Sequence, residues 1–150
     1  MLKTESSLED FRETALPFLR QHGFGHELEL SLLRGGANNR VYRISDSRRS
    51  AVLKHYFVNP SDPRDRFRSE KALYELLWTR GVRRTPEPIG WDSQLRLGLL
   101  SFIEGRKLQP EEVTRSAVNQ AIDFILELNQ SRTDAEQIPV ASEEIGRAHV

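Results

Sequence analysis

The chain has 150 residues, of which 37% are hydrophobic and 29% charged, a composition typical of a globular protein rather than a disordered or membrane-embedded one. Its 22 basic residues balance its 22 acidic residues, so no overall positive field favours nucleic acid or an anionic membrane as a partner. There is no cysteine, which excludes disulfides, thiolate metal sites and a cysteine nucleophile. Because the N-terminus lacks the apolar core of a signal peptide and no apolar run is long enough to span a membrane, we expect a cytoplasmic protein.

The first element is predicted to be an amphipathic helix. Apolar residues recur at helical spacing from Leu8 to Leu19, which predicts a helix over 7–21. Ser7 has the side chain of a helix N-cap, and Gly23 is typical of a residue that ends a helix.

Three strands are expected to follow this helix. The stretches 28–33, 41–45 and 51–57 are rich in β-branched and aromatic residues or alternate in polarity, as strands do. The connections at 35–39 and 46–50 are short and polar, and the first contains two glycines. Short connections of this kind predict an antiparallel meander.

A second helix is predicted after the prolines that follow the meander. It should start near Pro63 and end around Gly81, because proline favours helix starts and glycine favours helix ends. Its apolar stripe is predicted to consist of Phe67, Leu73, Leu76 and Leu77.

Two further strands and a last helix complete the predicted order. The strands lie within 86–91 and 95–103, and the helix has apolar residues spaced by three and four from Val118 to Leu126, ending near Ser131. We therefore predict an α+β fold: a five-stranded antiparallel sheet with one helix inserted after its third strand.

Three features could carry chemistry, and each also has an ordinary structural interpretation. Gly35–Asn39 lets the backbone approach a phosphate closely, but a short glycine turn is also a common hairpin. Lys54, in mid-strand beside apolar neighbours, needs a carboxylate or phosphate partner if it is buried, yet it could lie with its ammonium at the sheet rim. Glu70, beside the stripe of the second helix, could be no more than a solvated surface residue.

Together these features are more specific than any one of them. A glycine turn, a lysine in the third strand and a glutamate in the next helix match the nucleotide-binding half of protein-kinase-like enzymes. The run Ala51–Lys54 resembles the kinase V-A-I-K strand, and Gly36 and Asn39 align with the second and third glycines of the kinase loop, whereas Arg34 stands at the first.

Among kinase-like families, the sequence resembles most the aminoglycoside phosphotransferase family, whose loops are poor in glycine. The resemblance covers roughly 28–129. It rests on six segments in the same order, GGANNRVYRI, AVLKHYF, FRSEKALYELL, PEPIGWD, LLSFIEGR and AIDFILELN. It implies a protein-kinase-like N-terminal lobe over 1–104 and the first helix of a helical C-terminal lobe over 105–144.

The resemblance also implies a nucleotide site. Lys54 would hold the α- and β-phosphates of ATP, and Glu70 would pair with Lys54 to fix it. Backbone amides of the glycine loop would cover the phosphates, Val41 with Ala51 or Val52 would enclose the adenine, and the Ser101 carbonyl and Ile103 amide would contact its edge. The expected cofactor-binding residues are Gly35, Gly36, Ala37, Asn38, Asn39, Val41, Val52, Lys54, Glu70, Ser101, Phe102 and Ile103.

The catalytic half of such an enzyme is not found in this sequence. The family places its catalytic base and magnesium ligands in an H-x-D-x-x-x-x-N loop and a later aspartate. After Gly105 the only aspartates are Asp123 and Asp134, and neither lies in that motif. The four histidines have no metal-ligand spacing. We therefore expect an inactive portion of an ATP- and Mg²⁺-dependent phosphotransferase that acts on an unidentified small molecule, without catalytic or metal-binding residues of its own.

The last six residues, 145–150, are expected to be non-native. They can be encoded by ATC GGA AGA GCA CAC GTC, the start of a common short-read sequencing adapter whose next codon is a stop. If the chain ends here, the apolar stripe of the last helix is left uncovered, and the fragment is expected to self-associate through it.

Two other functions remain open. One is a non-catalytic nucleotide-binding module of the pseudokinase kind that acts through a partner. The other is a structural α+β interaction domain in which Lys54 and Glu70 form an ordinary ion pair. Nucleotide binding that depends on Lys54 discriminates the first from the second.

Overall fold

The computed structural model of the protein describes residues 2–35, 39–58, 60 and 64–130. The elements follow the predicted order of helix, three strands, helix, two strands and helix. They are α1 (Leu2–Gln21), β1 (Glu29–Gly35), β2 (Asn39–Ser45), β3 (Ser50–Tyr56), α2 (Arg66–Thr79), β4 (Pro88–Asp92), β5 (Leu97–Ser101) and α3 (Arg115–Gln130), with a short 3-10 turn (Pro110–Glu112) before α3.

The five strands form one antiparallel sheet in the order β1-β2-β3-β5-β4, which confirms the predicted α+β fold. Two of the turns that connect neighbouring antiparallel strands are held by aspartates. In the β2–β3 turn, Asp46 Oδ1 accepts hydrogen bonds from the backbone amides of Arg48 and Arg49. In the β4–β5 turn, Asp92 Oδ1 accepts from Gln94 and Leu95 in the same way.

Helix α1 covers one face of the sheet and builds the core there. Ala15, Phe18 and Leu19 are at most 5% exposed and pack with strand residues such as Ile44 and Leu53. Each large side chain buried in this way contributes about 1.5–3 kcal/mol. The predicted N-cap is wrong, because the helix begins at Leu2 and Ser7 therefore lies within it.

Both predicted helix stops are confirmed. After α1, the amide of Gly23 donates to the Arg20 carbonyl (2.9 Å) and that of Phe24 to the Leu19 carbonyl (3.1 Å). This pair of bonds closes a helix end around a residue of positive φ, here Gly23 at +82°. The end of α2 repeats the arrangement, with Gly81 also at +82°.

Helix α2 begins later than predicted. Its N-cap is Asp65, whose side chain accepts a hydrogen bond from the Arg68 amide at 3.2 Å, while Pro63 lies outside the described residues. The predicted stripe is only partly correct: Phe67 and Leu77 are buried, whereas Leu73 is 43% exposed. Leu73 lies on a different side of the helix from Phe67, since a separation of six residues at about 100° each places the two side chains roughly 120° apart around the axis.

The chain divides into two compact units. The first, formed by Met1–Val58 and Pro88–Phe102, contains α1 and the whole sheet. The second, formed by Asn59–Glu87 and Ile103–Val150, contains α2 and α3. The division at 104 that the sequence suggested, and the non-native tail over 145–150, stay predictions. Among the described helices, none combines the length and hydrophobicity that a membrane span requires.

Candidate functional site

The face of the sheet opposite α1 carries Lys54. The register aligns Val41, Lys54, Gly98 and Trp91 in one row across β2, β3, β5 and β4. Side chains opposite one another in a sheet share a face, so this row defines the surface around the lysine. Lys54 is half-buried, and its Nζ lies 5.1 Å from the centre of the Tyr56 ring on the same face. The cation is thus held against a buried aromatic side chain.

Gly98 makes room for a tryptophan beside the lysine. A Cβ atom at this position would lie 2.5 Å from Cζ3 of Trp91, so a larger residue would displace the ring. Trp91 is half-buried and forms an apolar side of the row that contains Lys54. The sequence alone does not place Trp91 beside Lys54, because the pairing of β4 with β5 that brings it to this row is not a local feature.

The register decides between two residues predicted to contact the base. Val52 pairs with Arg43 and Leu100 and lies on the Lys54 face, two residues from the lysine. Ala51 is fully buried in the core on the α1 face. The alternative that used Ala51 is therefore wrong, and Val41 and Val52 are the pair that the sheet places together.

The glycine loop is described only at its ends. Gly35 is the last residue of β1 and Asn39 the first of β2, while Gly36, Ala37 and Asn38 lie outside the described residues. Just before the loop, β1 has a bulge: Leu32 pairs with Tyr42 and Arg34 with Val41, so Leu33 is an extra residue. Leu33 is 52% exposed and adjoins the residue opposite Val41.

Sequence reasoning missed Leu33 because the bulge depends on pairing with β2. The only local signal was a second leucine next to a glycine turn, where strict alternation would place a polar residue.

The segment after β5 contains the predicted base-edge residues. Ser101 ends β5 opposite Ala51, and Phe102 follows it in the first unit. The guanidinium carbon of Arg43 lies 4.4 Å from the centre of the Phe102 ring. Ile103 belongs to the second unit and is 55% exposed. The contact with Arg43 was not predicted, since nothing in the sequence pairs these two residues.

Glu70 lies on α2, in the second unit, where it is half-buried. Burial raises the pKa of the neighbouring Tyr74 hydroxyl, and the negative charge of Glu70 raises that pKa further. The Lys54–Glu70 pair stays a prediction. Within the described ranges, no group of histidine, aspartate and glutamate side chains has the geometry to hold a metal ion.

A family model described as the phosphotransferase enzyme family matches residues 29–147 of the chain. The chain belongs to the phosphotransferase enzyme family. The match begins with the first residue of β1, so it includes the whole sheet and leaves α1 outside. It confirms the family predicted from the sequence and agrees with the kinase-like arrangement of five strands and an inserted helix. No curated protein matches the chain.

Proposed function

We propose that this chain supplies the ATP-binding portion of a small-molecule phosphotransferase, an enzyme that transfers the γ-phosphate of ATP to a hydroxyl of its acceptor. The observation that carries the proposal is the position of half-buried Lys54 on the sheet face opposite α1, in a chain of the phosphotransferase enzyme family. The acceptor is a small molecule of unspecified class, because no residue described here selects one.

The Lys54 face offers the two kinds of surface that a nucleotide requires. The lysine provides a point charge for the phosphates, and Gly35 and Asn39 frame the loop whose amides would cover them. Beside the lysine, Val41 and Val52 provide an apolar surface for the base, and the exposed Leu33 lies at the bulge of β1, next to the residue opposite Val41. Apolar walls with a few placed polar groups are typical of small-molecule sites.

The described residues do not supply the metal half of phosphoryl transfer. Mg²⁺ prefers carboxylate and carbonyl oxygens, and the acidic residues of the described chain form no cluster that could ligate it. We therefore assign neither Mg²⁺ binding nor the catalytic base to the described residues, and expect the 150-residue chain to bind nucleotide without turning it over.

The first test is ATP affinity in the 150-residue chain. Lys54→Ala removes a charge-assisted contact with the phosphates and should weaken ATP binding by about 1.5–3 kcal/mol, measured by isothermal titration calorimetry. The matched control is Lys71→Ala on α2, whose ammonium pairs with Glu75 at 2.5 Å. It removes the same charge and should leave ATP affinity unchanged. Equal affinity in the Lys54→Ala variant and the parent chain would contradict the proposal.

A second candidate function is a non-catalytic nucleotide-binding module that acts through a partner. The sequence feature that favours it is the lack, after Gly105, of the H-x-D-x-x-x-x-N motif in which the catalytic base is expected. Measuring ATP binding and ATP consumption in the native protein separates the two candidate functions. Consumption of ATP in the presence of a hydroxyl acceptor supports the enzyme, whereas binding of ATP without consumption supports the non-catalytic module.

A further inference from the structure

Arg43 connects three parts of the sheet around the proposed base surface. It lies on β2 opposite Val52, on the Lys54 face, and is half-buried. Its Nη2 donates a hydrogen bond to Ser50 Oγ at the start of β3 (3.3 Å), and its guanidinium stacks on Phe102 after β5. At 4.4 Å from the ring centre, the guanidinium is well within the range of a cation–π contact.

We propose that Arg43 is a positioning residue for the base of the nucleotide, acting through Phe102. This inference rests on the proposed function. Phe102 is bonded to Ser101, and the Ser101 carbonyl is the group expected to contact the base edge. Restraining the Phe102 ring therefore restrains the backbone that would face the base.

The contact is suited to this role because it joins rigid and irregular parts of the chain. Arg43 lies in the middle of a paired strand, whereas Phe102 has already left β5 and lacks strand pairing of its own. Preorganising a contact segment lowers the entropy lost on binding. Arg43 also borders an open cleft of about 600 Å³ with Ser31 and Ser45, so the face beside it is accessible.

The proposal predicts that Arg43 and Lys54 affect different halves of the ligand. Arg43→Met keeps an apolar stem but removes the guanidinium, and should weaken the binding of adenosine and of ATP by the same factor, roughly threefold to tenfold. It should leave the affinity for inorganic tripolyphosphate unchanged. Lys54→Ala should do the reverse, weakening ATP and tripolyphosphate but not adenosine.

The chain offers a matched control on the same strand. Arg40 also lies over an aromatic ring, that of Phe57 at 5.5 Å, but it pairs with His55 and belongs to the α1 face. Arg40→Met removes a comparable contact from the other face and should leave adenosine affinity unchanged. Arg43→Lys keeps a cation without the planar guanidinium. It should therefore retain only part of the adenosine affinity that Arg43→Met loses.

The experiment is a calorimetric titration of each variant of the 150-residue chain with adenosine, ATP and tripolyphosphate, after circular dichroism has confirmed the fold. Phe102→Leu should weaken adenosine binding as Arg43→Met does, and the double variant should lose no more than either single one. Unchanged adenosine affinity in Arg43→Met, or an equal loss for adenosine and tripolyphosphate, overturns the positioning role. If the parent chain binds none of the three ligands, the proposed function fails instead.

Discussion

His55 shows how the two faces of β3 differ in chemistry. It neighbours Lys54 in sequence but points to the α1 face, where its ring stacks on Phe11 (4.9 Å between centroids) and meets the edge of Phe57 (5.1 Å). Burial lowers the pKa of the imidazole below its usual value of 6.5, and the positive charge of Arg40 lowers that pKa further. Both effects favour the neutral form of the ring among its aromatic neighbours.

This shift predicts a pH dependence of stability. Below pH 6.5 the unfolded chain binds a proton at His55 that the folded chain resists, so the free energy of unfolding should fall as the pH decreases from 6.5 towards the folded pKa. His55→Phe keeps an aromatic ring and removes the titration. Urea unfolding of both proteins between pH 8 and pH 5 should give a stability difference that changes below 6.5. Parallel curves throughout would show that His55 does not carry the effect.

At the scale of the elements, the helix ends are the clearest case in which local sequence determines structure. Gly23 and Gly81 were predicted as helix ends from their positions just after the apolar helical patterns, because glycine adopts positive φ without strain, and both have φ of +82°. The strand faces could also be predicted, since alternation fixes which residues neighbour Lys54. The bulge at Leu33 and the contact of Arg43 with Phe102 could not, because both depend on pairing between distant segments.

The two glycines provide a graded test of these helix ends. Gly81→Ala should lower the free energy of unfolding by about 1 kcal/mol from the backbone conformation alone, because a Cβ there meets no atom within 4 Å. Gly23→Ala should cost more, since its Cβ would lie 3.1 Å from Nη2 of Arg49, which stacks on Phe24. Gly105→Ala is the control, with open space and no positive φ.

Urea unfolding measures all three variants. The expected order of destabilisation is Gly23→Ala, then Gly81→Ala, then Gly105→Ala with little change. A Gly81→Ala variant as stable as the parent chain would contradict the assignment of that helix end to a left-handed residue.

At the scale of the whole molecule, α3 presents an uncovered apolar stripe. Four of its residues are about half exposed: Val118, Ile122, Ile125 and Leu126. Exposed stripes of this kind favour association. We expect the 150-residue chain to self-associate through α3, with an apparent mass in light scattering that rises with concentration.

A pair of double variants separates the stripe from a general effect of charge. Ile122→Glu with Ile125→Glu should yield a monomer at concentrations where the parent chain associates. Asn119→Glu with Gln120→Glu adds the same two charges to exposed polar positions of α3 and should not. A parent chain that stays monomeric at all concentrations would contradict this prediction.

Methyl NMR can show whether a nucleotide binds the Lys54 face of the sheet. Val41 and Val52 lie on that face, whereas Leu53 and Leu99 lie in the core beneath α1. Titration of the 150-residue chain with ATP should shift the methyl signals of the two valines and leave those of the two leucines nearly unchanged. Larger shifts at the leucines, or no shift at the valines when ATP is bound, would show that the nucleotide does not bind this face.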